Sequence, residues 1–317
     1  DVPGVDEDDH IEVANAINTH LVKVAEDIPP LSQSSLPAYL PLKETSAPKV
    51  HLWQVYQELR KTKVGKSCGP DGISSRLVRE FALELTSPIC DIINASLDQG
   101  IVPHQWKMST IVPLPKTTPP SIDKLRPIAL TSHFAKLAEL FVCKMLLADI
   151  SGNIDPHQYG NRPGMSTSHY LVDLLEYLYS HADKTGYTST VVMTDFSKAF
   201  DLVDHNIAIE KIYTLGARPQ LIPWLSSFLS ERTQQVRYRG KLSEPVVTNA
   251  GVPQGTRLGP VLFLALVNDA LDESTTSRWK YVDDLTIAES RKSTTRSNIS
   301  QAVQELEIWC EFTRMKP

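Results

Sequence analysis

Two strand-like runs that both end in acids, far apart along the chain, constrain this sequence more than any other feature. Thr188-Ser189-Thr190-Val191-Val192-Met193-Thr194-Asp195 reads as a buried strand that delivers Asp195 at its carboxyl end. Trp279-Lys280-Tyr281-Val282-Asp283-Asp284-Leu285-Thr286-Ile287-Ala288 reads as strand, acidic turn, strand, because β-forming residues flank the acids on both sides. Asp195 and Asp283 lie 88 positions apart, so only a folded sheet unites them. Each has a plainer reading on its own: an Asp-Asp pair as a solvated turn, and Asp195 as a helix N-cap. Neither reading explains why both strands end in carboxylates. Gathered acids repel unless a cation sits among them, and a hard divalent metal is the usual answer. Phosphoryl and nucleotidyl transfer need oxygen ligands from separate segments that hold two metal ions about 4 Å apart. One ion activates an attacking hydroxyl and the other stabilises a leaving pyrophosphate.

The intervening sequence fits such a site. A helix-like stretch starts at about His205, and the run Gly251-Val252-Pro253-Gln254-Gly255 makes a loop whose backbone can approach a flat ligand closely. An apolar helix over 260–271 follows. As a lone motif the loop is ordinary, and its weight comes from its order: strand and acid, Gly-Gln loop with helix, then acidic hairpin.

The chain resembles reverse transcriptases, most closely those of LINE-type non-LTR retrotransposons. The matching pieces in order are Gly69-Pro70-Asp71-Gly72-Ile73, Val112-Pro113-Leu114-Pro115-Lys116, Leu125-Arg126-Pro127-Ile128-Ala129-Leu130 and Gln158-Tyr159-Gly160-Asn161-Arg162-Pro163-Gly164-Met165-Ser166-Thr167. The Asp195 to Asp201 segment, Pro253-Gln254-Gly255 and Tyr281-Val282-Asp283-Asp284 complete the series. The resemblance covers residues 50–317. It implies an α+β right-hand polymerase, with a small antiparallel palm sheet backed by helices. It implies catalytic Asp195, Asp283 and Asp284, with the Phe196 carbonyl completing a shell for Mg²⁺, Mn²⁺ being the alternative. Lys116 and Arg126, on either side of a strand-joining loop at 117–124, match the cations that neutralise a triphosphate. Phe200 matches the steric gate that selects dNTPs over NTPs, and Gln254 the glutamine that touches incoming nucleotide or template. Gln158 and Arg162 are weaker candidates for the template path or for bracing the fingers. The implied partners are an RNA template, a DNA primer and dNTPs. An RNA-directed RNA polymerase, or a catalytically silent nucleic-acid-binding remnant, are the competing readings; Phe200 and the Pro-Gln-Gly loop argue against the former.

Composition is that of a folded protein: 41% hydrophobic and 22% charged in 317 residues. The net charge of −5 is unusual for a nucleic-acid binder. Residues 1–50 account for it, with nine acids against three lysines, a balance of −6 that leaves +1 for the rest. Basic groups such as Arg60, Lys61, Lys63 and Lys66, or Arg232, Arg237, Arg239 and Lys241, are able to track phosphates or to be solvated faces. The four cysteines show neither metal-ligand nor disulfide spacing, which fits a reduced, intracellular setting. The resemblance adds a nuclear one during integration. No membrane span or leader is evident. Residues 1–50 read as an acidic helix (10–26) and a Pro- and Ser-rich linker (29–48), 51–187 as fingers and 188–317 as palm. Long helices are expected over 134–148 and 168–183, and Asp71 and Gly72 at the start of another. Ile299, Val303, Leu306 and Trp309 recur at helical spacing and read as core. The sequence is expected to stop before the primer grip and thumb, as a fragment of something longer.

Overall fold

A chain whose apolar residues recur at both helical and strand periods must bury two kinds of surface, and it does so with helices packed around two sheets. The structure, a computed structural model, describes residues 5, 6, 8–31 and 46–317. Most of the expected linker at 29–48 lies outside the described residues. Helices α1 (His10–Lys23), α2 (Leu52–Arg60), α3 (Ser75–Glu80), α4 (Ala82–Gln99) and α5 (His104–Lys107) precede the hairpin of β1 (Met108–Pro115) and β2 (Leu125–Leu130). Then come α6 (His133–Ile150), α7 (Thr167–Ala182), β3 (Tyr187–Asp195), α8 (His205–Thr214) and α9 (Ile222–Leu229). Strands β4 (Arg232–Tyr238), β5 (Lys241–Leu242) and β6 (Val246–Thr248) lead to α10 (Leu258–Leu266). The acidic hairpin is β7 (Ser277–Tyr281) and β8 (Asp284–Lys292), and α11 (Ile299–Thr313) closes the series.

Local chemistry sets several of these boundaries. The Asp204 carboxylate accepts from the backbone N–H groups of Asn206 and Ile207 and so starts α8. Gly100, at φ 65°, ends α4 in the left-handed region that favours glycine. The Ser74 hydroxyl caps α3, three residues beyond the expected start. Asp71 instead accepts from the Ile73 N–H within a turn, with Gly72 at φ 69°. The apolar stretch after the Gly-Gln loop is helical only to Leu266, short of the expected 271.

The three-stranded sheet runs β3-β8-β7, antiparallel throughout. Its Leu285 and Ile287 join the main core with α10, in which Leu262, Phe263, Ala265 and Leu266 are fully buried. Each such leucine or phenylalanine contributes about 1.5–3 kcal/mol relative to an exposed one. The buried strand expected over 188–195 is corrected: β3 is the sheet's edge, none of its residues is fully buried, and Met193 is 73% exposed. An edge strand has a neighbour on one side only, and that periodicity cannot reveal.

The second sheet joins the expected strand pair, β1 and β2, to strands that no local pattern marked. Its path is β2-β1-β4-β5, with β6 also on β4, and the β1–β4 pairing is parallel. Helix α1 lies on this sheet, its Val13, Ala14 and Ile17 packed with Ile111, Ala129 and Val236. The Asn18 amide donates to the Gln234 and Glu244 carbonyls, locking the helix to β4. Arg232 therefore leaves the expected basic cluster: it is 2% exposed, its guanidinium over the Phe228 ring.

Candidate active site

The β3–β8 ladder places Asp195 and Asp284 as cross-strand partners at its end. Tyr281 pairs with Asp284 across β7–β8, which leaves Val282 and Asp283 as the turn. Three carboxylates from strands 88 positions apart thus share one corner, as the ends of the two runs required. Burial raises the Asp284 pKa, and the neighbouring Asp283 and Asp195 carboxylates raise it further. Among the described residues none of the three makes an ion pair. This is a donor set short of positive charge, and its hard oxygens fit a divalent cation. Among the described residues, no group of three or more His, Cys, Asp or Glu side chains is arranged to hold a metal unaided. Mg²⁺ is suited to such a place, because it takes few carboxylates and completes its shell with water and substrate oxygens.

The hairpin tip is held from below. Val282 sits at φ 58°, a costly conformation for a β-branched residue that persists only where the surroundings impose it. The segment from Asp155 to Gly160 imposes it. The Lys280 N–H donates to the His157 carbonyl and the Tyr159 N–H to the Lys280 carbonyl, at 2.9 and 2.8 Å. The Lys280 ammonium, 2% exposed, donates to the Asp155 carboxylate at 2.7 Å and to the Asn268 carbonyl at 2.6 Å. Arg278 adds a second cationic contact to Asp155 at 3.0 Å. Burial alone raises the Asp155 carboxyl, yet the Lys280 ammonium, the His157 N–H and Arg278 hold it well below the usual range. Gly160 closes the contact: a Cβ there would lie 2.3 Å from the Val282 nitrogen. Gly160→Ala is expected to cost about 1–3 kcal/mol, as overpacking does. Urea unfolding checks this, and an unchanged midpoint would show slack under the hairpin. Gln158, fully buried, and Arg162, whose guanidinium donates to the Asp155 and Pro156 carbonyls, belong to this brace and do not line the cleft.

The Gly-Gln loop is fastened on two sides. The Gly251 N–H donates to Val203 and the Val252 N–H to Phe200, both at 2.8 Å. Gly251 has φ 77°, and a Cβ would meet the Asp201 carbonyl at 2.7 Å, so only glycine suits the position. On the other side the Ala129 N–H of β2 donates to the Gln254 carbonyl at 2.7 Å. The Gln254 amide reaches the Asp201 carboxylate at 3.5 Å. Burial raises the Asp201 pKa, offset in part by Gln254, Lys198 and Lys116. Phe200 stacks on Phe263 of α10, with ring centroids 4.8 Å apart.

These pieces enclose a cleft of about 700 Å³. Lys116, Arg126, Asp195, Phe196, Phe200, Gln254 and Asp283 all line it. Asp284 stands beside it as the ladder partner of Asp195. Lys116 and Arg126 are exposed, face the cleft from β1–β2, and make no ion pair among the described residues. Sequence reasoning did not assign Lys198 or Asp201 to the wall, nor His20 and Leu21 of α1 and Val24 at its C-cap. The amphipathy of α1 signalled one buried face, but no local pattern says which sheet receives it.

Comparison with known proteins follows the same lines. A family model described as Reverse transcriptase (RNA-dependent DNA polymerase) matches residues 114–316. The chain is 29% identical over 276 residues to the RNA-directed DNA polymerase from mobile element jockey of Drosophila melanogaster, covering 83% of this chain and 30% of that protein. It is 27% identical over 305 residues to the jockey polymerase of Drosophila funebris, covering 92% and 32%. It is 30% identical over 220 residues to the Retrovirus-related Pol polyprotein from type-2 retrotransposable element R2DM of Drosophila melanogaster, covering 68% and 20%. The chain therefore spans a third or less of the length of these curated relatives.

Proposed function

Because the chain belongs to the reverse transcriptase (RNA-dependent DNA polymerase) family, we propose that it carries the nucleotidyl-transfer site of a non-LTR retrotransposon polymerase, adding dNTPs to a DNA primer on an RNA template. The observation that carries this reading is one cleft onto which separate chain segments bring acids, cations without an ion pair among the described residues, an aromatic ring and a glutamine. Residues 51–187 serve as fingers and 188–317 as palm, with 1–50 as an acidic N-terminal helix and linker.

Asp195, Asp283, Asp284 and the Phe196 carbonyl are the groups that would hold Mg²⁺, or Mn²⁺ in its place. A metal held there would supply a lowered pKa for the primer 3′-hydroxyl and charge stabilisation for the pyrophosphate. Lys116 and Arg126 bind the triphosphate, and Arg126 offers two parallel hydrogen bonds to its oxygens. Being fixed before the reaction, they stabilise developing charge without reorganisation. Phe200, backed by Phe263, presents a ring that cannot yield toward its stacking partner, so a 2′-hydroxyl is excluded at that place. Gln254, tied to β2 through its carbonyl and to Asp201 through its amide, is preset to touch the incoming nucleotide or the template. An intracellular location, nuclear during integration, belongs to the same proposal.

The test is Mg²⁺-dependent dNTP incorporation by the purified chain on an RNA template with an annealed DNA primer. Extension that stops on chelation supports the reading; tight binding without extension, persisting after a thumb is restored at the C-terminus, overturns it in favour of a binding module. Phe200→Ala supplies a second check. The variant is expected to accept NTPs at least ~10-fold better relative to dNTPs, the scale of about 1.4 kcal/mol in differential transition-state binding. Unchanged discrimination would return Phe200 to the core as a packing aromatic.

A further inference from the structure

The last turn of α1 is anchored more firmly than a terminal helix needs for burial alone. Val13, Ala14 and Ile17 pack on the second sheet, and Asn18, 1% exposed, fixes the helix there. The Asn18 amide donates to the Gln234 and Glu244 carbonyls and to the Ser243 hydroxyl, and its oxygen accepts from the Gln234 amide at 2.9 Å. The Asn15 side-chain oxygen accepts from the Glu244 N–H at 2.8 Å. So fastened, the end of α1 stands between two concavities. His20 and Leu21 line the catalytic cleft. Leu21, Val22 and Ala25 line a cavity of about 170 Å³ whose other wall includes residues 249–253 of the Gly-Gln loop.

The loop at 117–124 needs such a neighbour. Lys116 and Arg126 stand exposed at its two ends. Its own bonds, from the Lys116 N–H to the Lys124 carbonyl and from the Lys124 N–H to the Ser121 carbonyl, close it on itself without aiming it. Among the described residues, its polar contact with another element is to α1: His20 Nε2 lies 3.5 Å from the Asp123 carboxylate. Ile122 and Leu125, flanking that contact, pack on the same apolar cluster as Leu21. His20 and Asp123 both line the catalytic cleft with Lys116 and Arg126. A cation on a loop that swings freely loses conformational entropy when it takes up a phosphate, and one on a loop already set loses less. We propose that His20 is a positioning residue of the nucleotide site: through Asp123 it holds the 117–124 loop so that Lys116 and Arg126 stand ready for the triphosphate. This rests on the polymerase reading above and gives α1 a part in it.

Two measurements on His20→Ala, Asp123→Ala and the double variant test it. The first is hydrogen exchange at the Lys116 and Lys124 amides, which are bonded within the loop, with no nucleotide or nucleic acid present. Each single variant should speed exchange to the same extent and the double no further, because all three remove one contact. The second is dNTP affinity on an RNA template whose DNA primer ends in a dideoxynucleotide, so that nothing turns over. Kd should rise about two- to fivefold, the effect of losing an exposed pair, again without additivity. The urea midpoint should stay in place, since the Asp123 side chain is 74% exposed and His20 27%. With an open primer the loss should fall on KM and leave kcat unchanged. His20→Lys should restore both exchange and affinity. Exchange unaltered by either single variant, additive losses in the double, or weaker dNTP binding in His20→Ala alone would overturn the assignment; the last would make His20 a phosphate ligand in its own right. Exchange is read without substrate, so a parent that neither binds dNTP nor extends a primer sinks the polymerase reading and leaves the loop contact measured. Unaltered exchange beside working extension sinks the role of His20 alone.

Discussion

Asp283→Asn is expected to abolish primer extension while leaving fold and duplex binding nearly unchanged. The side chain occupies the turn between β7 and β8, lines the cleft, and makes no ion pair among the described residues. Removing its charge therefore breaks no structural contact, and it relieves repulsion on Asp284. Thermal unfolding should move by no more than a degree or two, since a ΔΔG of 1 kcal/mol shifts Tm by about 2–4 °C in proteins of roughly 150–250 residues and by less in larger ones. The chemistry should suffer far more. Loss of one preorganised group that stabilises transition-state charge costs roughly 10²–10³ in kcat, and loss of a metal ligand should reach at least that. Substantial extension by the variant, measured beside the parent on the same primer–template, would remove Asp283 from the metal site.

Asp155→Asn should act in the opposite way, through the fold. Asp155 is 6% exposed and answers two cations, Lys280 at 2.7 Å and Arg278 at 3.0 Å. Neutralising it leaves the buried Lys280 ammonium without a carboxylate in direct contact among the described residues, with neutral oxygens such as the Asn268 carbonyl as its partners. Breaking a buried ion pair from one side costs about 3–5 kcal/mol. Urea unfolding is the measurement, and a loss below about 1 kcal/mol would show that water reaches the pair, as at exposed ion pairs. Asp155→Asn/Lys280→Met should recover part of the loss, because the orphaned charge goes with its partner. The pH dependence has a definite sign. A carboxyl held below its unfolded pKa adds stability above that pKa, about 3.9, and the contribution fades as pH falls further. The parent should thus lose more stability than the Asp155→Asn variant between pH 5 and lower values. Since Lys280 leads into the acidic turn, whatever activity the variant retains should be heat-labile.

The division between what was legible in the residues and what was not follows the range of the forces involved. Local pattern was enough for the helices at 133–150 and 167–182, the hairpin at 277–292, the strand ending at Asp195, and the strand pair around the 117–124 loop. Periodicity and turn chemistry act over a few residues, so they survive without tertiary context. Residue type and order marked the acids, and the family resemblance marked the cations, ring and glutamine that line the same cleft. Long-range placement was not legible. That β3 is an edge, that β1 pairs parallel with β4, that α1 walls the cleft and that Arg232 is buried depend on partners more than a hundred residues apart, or on which neighbour a strand lacks. The Asp155–Lys280 pair, joining residues 125 positions apart beneath the hairpin, is of the same kind. Residue order was enough to name the groups that meet at the corner of β3 and β8. What holds that corner in place lay beyond reach of local pattern, because a buried charge is tolerable only where the fold brings it a partner.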